Sequence, residues 1–134
     1  MRLATAILVL LSTLPLSGCL GFGASTTTQS AISSGAVALG GGLVGQTAFA
    51  AQMPDAAKTK AVEAEFQALQ FSPAGEPVQW TEDGYRGEVV PTQLYRVGSQ
   101  DCRAYSHVLT AGANPVKASG VACKTPNGLW KPVA

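Results

Sequence analysis

Few side chains in this sequence are of a type that does chemistry: cysteines at 19, 102 and 123, a single histidine at 107, and adjacent carboxylates at Glu82 and Asp83. Thiols crosslink, ligate metals or accept acyl groups. A structural zinc site asks for four nitrogen or sulfur ligands, which His107 and two cysteines do not supply, so no metal and no cofactor are expected. His107 lies in a β-patterned stretch on the face of Arg103, Tyr105 and Leu109 and has no evident partner; hydrogen bonding or solvation is its expected role. Glu82 and Asp83 stand beside the turn glycine Gly84, where hydrogen bonding or exposure is expected, not acid/base work. With no phosphate-binding loop either, no catalytic site is expected and the chain does not read as an enzyme.

The first thiol is positioned by a leader. Residues 1–18 have a positive start at Arg2, an apolar core from Leu3 to Leu14 and small residues before the break, the three parts of an export signal. The core is too short for a transmembrane helix, which needs about 20 apolar residues, and Thr5, Ser12 and Thr13 interrupt it. Leu16-Ser17-Gly18-Cys19 resembles a bacterial lipoprotein signal. That resemblance implies that Cys19 is lipidated, carries acyl chains such as palmitate, and becomes the first residue of the mature chain. The partner it implies is membrane lipid, held through acylated Cys19 at about 0.8 kcal/mol per buried methylene. Leu20 stands where an aspartate would favour retention in the inner membrane, which by the same resemblance implies the outer membrane. The alternative is a secreted protein cleaved elsewhere.

Removing residues 1–18 from 134 leaves 116, enough for one small domain. Without Arg2 the remaining eight Lys and Arg balance eight Asp and Glu. That balance argues against a polybasic surface, so nucleic acid is not an expected partner. The remainder is rich in alanine and glycine, and a core built from them is small and gains from a covalent staple. With Cys19 assigned to lipid, Cys102 and Cys123 are left to form a disulfide in an oxidising compartment.

Between Arg2 and Asp55 there is no charged residue. Residues 19–34 hold the lipidated cysteine and a Gly/Ser/Thr-rich stretch that reads as a flexible tether. Residues 31–51 read as a glycine-zipper-like segment. Gly41 with Gly45, and Ser34 with Ala38 and Gly42, are small residues at helical spacing that let a second helix approach. Such a segment would enter a bilayer once and offers Gly41 and Gly45 as contacts for envelope proteins or for self-association. A plain flexible linker is the alternative, since each glycine costs a water-exposed helix about 1 kcal/mol.

Residues 55–134 form the expected domain. Asp55 can cap a helix in which Val62, Phe66 and Leu69 recur with Ala57, Ala61 and Ala68, while Lys58, Lys60, Glu63 and Glu65 take the remaining positions. It should run about four turns, end before Ser72-Pro73-Ala74-Gly75, and lay its apolar stripe on a sheet. Strand-like stretches follow at Val78 to Trp80, Gly87 to Val97, Cys102 to Thr110, Val116 to Lys124 and Leu129 to Val133, with turn chemistry in each gap. Short connections predict an antiparallel meander. Placing Cys102 opposite Cys123 puts the hairpin turn at 112–113, within the glycine-containing gap, and sets Ala104 opposite Val121, Ser106 opposite Ser119 and Val108 opposite Lys117. The fold class is α+β: one amphipathic helix on an antiparallel sheet of four to five strands with one disulfide, which closes a loop of about 20 residues and contributes roughly 3 kcal/mol.

Trp80, Gly84, Gly87, Val89, Pro91, Tyr95, Cys102-Arg103-Ala104-Tyr105, Gly120-Val121-Ala122-Cys123 and Asn127-Gly128-Leu129-Trp130 resemble the rickettsial 17 kDa surface antigen family and its surface-antigen-domain relatives. The resemblance covers the lipid signal, a shortened zipper and nearly all of residues 60–133. It implies an outer-membrane lipoprotein with an antigenic or envelope-structural role. Ala104 replaces the glutamate of the family's Cys-Arg-Glu-Tyr pattern, so no role of that carboxylate carries over, and the short zipper weighs against a membrane hairpin. Trp80 and Trp130 are expected in the helix-to-sheet core, with Tyr85, Tyr95 and Tyr105 available to a binding surface. Arg86, Arg96 and Arg103 offer an anion patch, but Glu76, Glu82, Asp83, Glu88 and Asp101 nearby make a neutral mixed surface the simpler expectation. The functional reading is an outer-membrane, surface antigen-like lipoprotein with a structural or interaction role. The alternative is a periplasmic binding module or inhibitor using the exposed face of the sheet.

Overall fold

Turn chemistry recurring from residue 83 onward folds the second half of the chain into consecutive hairpins. In the computed structural model, which describes residues 24–133 with side chains from residue 29, these are strands β1 (Val78–Glu82), β2 (Tyr85–Val97), β3 (Gln100–Ala111), β4 (Asn114–Lys124) and β5 (Trp130–Val133). They lie in that order in one antiparallel sheet. The leader 1–18 and Cys19 lie outside the described residues. Cys102 pairs with Cys123, Ala104 with Val121, Ser106 with Ser119 and Val108 with Lys117, the register expected from the cysteines. Side chains alternate across the sheet, so Val89, Arg103, Tyr105, His107 and Leu109 are buried on one face. Trp80 and Trp130 join them at 5% and 1% exposure, as core residues. A bulge between Pro91 and Leu94 shifts the β2–β3 register.

Helix α2 (Asp55–Phe71) lies across the buried face with Ala57, Ala61, Val62, Phe66 and Leu69 turned inward. Its N-cap is Pro54, not Asp55, and no side chain caps it. Asp55 sits one position too late to cap. Its charge still favours the positive end of the helix, and it bridges Lys58 at 3.7 Å. The helix ends at Ser72, before Pro73.

A second helix, α1 (Ala24–Ala38), occupies most of the stretch read as a flexible tether. Tertiary packing explains it, since a poor helix former gains stability from a partner surface. Ser33 Oγ donates to Glu63 Oε1 at 2.7 Å, and Gly35 faces the Phe66 ring so closely that a Cβ there would overlap it. Gly40 and Gly42 then take positive φ values of 61° and 58° and end the helix. Two 3-10 turns follow, at Val44–Gln46 and Ala48–Ala51. The segment 31–51 is therefore not one continuous helix, and among the described residues no helix is long and apolar enough to cross a membrane. Ala36, Leu39, Leu43 and Val44 belong to the same core as α2 and the sheet.

Candidate functional site

Residues spaced by four on α2, namely Ala57, Ala61, Glu65 and Leu69, are all at most 1% exposed, so the helix carries an acid in the middle of its inner stripe. This corrects the placement of Glu65 among the solvent-facing positions. A buried carboxylate must find donors, and Glu65 has four. Its Oε2 accepts the backbone N–H of Leu43 at 2.9 Å, and its Oε1 that of Val44 at 3.1 Å. Tyr105 Oη donates to Oε2 at 3.4 Å. The fourth donor is His107, whose Nδ1 lies 2.7 Å from Oε1.

The tautomer follows from the far side of the ring. Trp80 Nε1 lies 2.8 Å from His107 Nε2, and an indole N–H only donates. Nε2 therefore accepts, and the proton sits on Nδ1 facing Glu65. Glu65 and His107 are both 0% exposed. Burial, with the Glu65 carboxylate beside it, raises the Tyr105 phenol far above its ordinary range. The loop approaches through Gly42, where a Cβ would overlap the Glu65 carboxylate. All of these bonds are internal. In this arrangement the cluster latches the loop at 42–44 and α2 to the sheet, and proton exchange with any substrate would require the loop to lift.

Arg103 is also buried. Its guanidinium donates to the carbonyls of Ala68 (3.2 Å), Leu69 (2.9 Å), Ser72 (3.0 Å) and Thr92 (2.9 Å). A cation over the last carbonyls of α2 satisfies groups a helix end leaves free and complements its dipole; burial lowers its pKa. Arg103 is thus withdrawn from any anion patch. Arg96 pairs with Asp101 at 3.0 Å, in keeping with a mixed surface.

Of the residues singled out by sequence, Cys102 and Cys123 are bonded, with Cα atoms 4.0 Å apart. Cys19 lies outside the described residues. Gly41 and Gly45 are joined within a turn by the Gly45 N–H to the Gly41 carbonyl at 2.9 Å. Together with Ala36, Val37, Val44 and Val62 they line an apolar groove of about 430 Å³ between α1 and α2. Glu65 was legible in principle, as an acid at four-residue spacing from Ala57 and Ala61, opposite a strand whose inward face holds the lone histidine.

Seventy residues of the chain, 50% of its length, are similar to proteins named 17 kDa surface antigen. Identity is 39% to that of Rickettsia felis, 37% to that of Rickettsia bellii and 34% to that of Rickettsia prowazekii. The match covers 44% of each of them, so the chain spans less than half the length of these relatives. No protein-family model and no solved structure matches it.

Proposed function

Since the chain belongs with the 17 kDa surface antigens over the 70 residues it shares with them, we propose that it is a cell-surface protein of the bacterial outer membrane. Lipid on Cys19 anchors it, and its role is structural or interactive, without catalysis. The match to surface antigens is the observation that carries this reading; the lipoprotein-like signal at 16–19 supports the anchor. The domain suits such a role, because its reactive groups are spent internally: Glu65 on His107 and two amides, Arg103 on four carbonyls, Cys102 on Cys123. The groove lined by Gly41 and Gly45 is where an envelope partner would sit.

The test is labelled-palmitate incorporation in cells expressing the full chain. Label is expected in the wild type and absent from Cys19→Ser, which should also leave the membrane fraction; label retained in Cys19→Ser would sink the anchor.

One observation favours the second reading, a binding module using the open face of the sheet. A hollow of about 330 Å³ is lined there by Gln79, Thr81, Arg86, Glu88, Val108 and Thr110. That reading requires a saturable envelope ligand whose capture is lost in Val108→Arg.

A further inference from the structure

The outer edge of β2 is only half covered. β1 pairs with residues 85–89, and the Gly75 N–H reaches the Pro91 carbonyl at 2.8 Å. Beyond that point β2 continues to Val97 with no neighbour on this side among the described residues. Leu94, Tyr95 and Val97 are exposed there, at 53%, 42% and 56%.

Parity determines which backbone groups face outward. The 4.0 Å Cα spacing of Cys102 and Cys123 marks an antiparallel pair that does not exchange backbone hydrogen bonds. Cys102 therefore turns its N–H and C=O towards β2, where it faces Tyr95. The two-residue turn at 98–99 agrees, closing on Val97 and Gln100 as a bonded pair. Pro91 agrees from the other side of the bulge, because its carbonyl points outward to Gly75. Leu94 and Arg96, opposite Arg103 and Asp101, are left with N–H and C=O aimed off the sheet.

The same parity on β4 makes 115, 117 and 119 the outward positions beyond the reach of β5, which pairs only with residues 121–124. Pro115 has no N–H and Lys117 brings a charge, two devices that blunt an exposed edge. Beyond Pro91 the β2 edge has no proline, and its one charge, Arg96, is paired with Asp101 within the same sheet at 3.0 Å.

We propose that this edge of β2 pairs with the same edge of a second copy, antiparallel, about a two-fold axis at Tyr95. Leu94 then faces Arg96 of the second copy and Arg96 faces its Leu94, so four hydrogen bonds consume every outward group of both copies. The two Tyr95 side chains meet at the close, non-bonded site between them, where aromatic pairs stabilise a sheet. Neighbouring registers fail. Centring on Leu94 sets Arg96 opposite Thr92, whose carbonyl already accepts from Arg103 Nε at 2.9 Å; centring on Arg96 opposes like charges. The interface is small, and anchoring both copies on one membrane would concentrate them, but the pairing itself does not depend on the lipid.

Photocrosslinking of the full chain, with p-benzoylphenylalanine in place of Tyr95, tests it in cells and with purified protein, for both wild-type Cys19 and Cys19→Ser. The expected product is a homodimer linked within 93–97, in the anchored form at least. Leu94→Pro removes one outward N–H from each copy and should lower the yield about tenfold or more without shifting the melting temperature; Arg96→Pro serves if that variant does not fold. No homodimer in either form, a link elsewhere, or a yield unchanged in the folded proline variant would overturn the proposal. A dimer lost only in Cys19→Ser upholds it and identifies the anchor as the source of local concentration.

Discussion

A carboxylate sealed from water is only as stable as the donors around it, and Glu65 draws its donors from two elements, the loop after α1 and, through Tyr105 and His107, β3, with Trp80 of β1 fixing the histidine behind them. Tyr105 gives this cluster a measurable pH signature. Its phenol is raised above the ordinary 10.0 by burial and then by Glu65. Above that pH the unfolded chain loses a proton that the folded chain keeps, so stability present below pH 10 is lost as pH rises further. Urea midpoints of the wild type should fall above about pH 10, and Tyr105→Phe should remove this part of the decline; an identical slope in the variant would refute the assignment. The alternation of β3 reveals in the sequence that His107 faces the helix. What it meets there is carried only by spacing, since Glu65 shares the four-residue stripe of Ala57, Ala61 and Leu69; that the loop at 43–44 covers the acid is decided by packing.

At the scale of elements, the sheet was readable and the N-terminal helix was not. Strands 78–133 are bounded by turn residues whose chemistry is local, and the cysteines specify register, so even cross-strand partners followed. α1 has no such local warrant: Ser, Thr and Gly favour other conformations, and the helix exists because Gly35 and Ser33 fit against Phe66 and Glu63. The glycines of 31–51 are not equivalent: Gly35 and Gly42 serve contacts within the domain, whereas a Cβ at Gly40 or Gly45 would meet nothing within 4 Å. Gly42→Ala places a side chain at φ 58° against the Glu65 carboxylate and should cost about 2 kcal/mol or more. Gly45→Ala meets nothing within 4 Å and should leave stability unchanged or raise it by up to about 1 kcal/mol. Chemical denaturation of the two variants distinguishes this arrangement from a zipper that depends on both positions alike.

For the whole molecule, two devices hold a core assembled largely from alanine and leucine: the latch at Glu65 and the bond between Cys102 and Cys123, 21 residues apart. Replacing both cysteines by serine should lower stability by roughly 3 kcal/mol and the melting temperature by roughly 10–20 °C, read by calorimetry against the wild type. The latch also imposes an order of events. Glu65 precedes His107 by 42 residues, so a chain emerging from its N-terminus exposes the acid long before the base arrives. Until β3 is delivered, α2 presents a solvated carboxylate in the middle of its apolar stripe and has reason to stay loose. The hairpins join nearest neighbours, the kind of pairing that forms quickly, whereas seating the helices waits on a distant residue. Helix docking should therefore be the late step of folding, timed by the arrival of one imidazole.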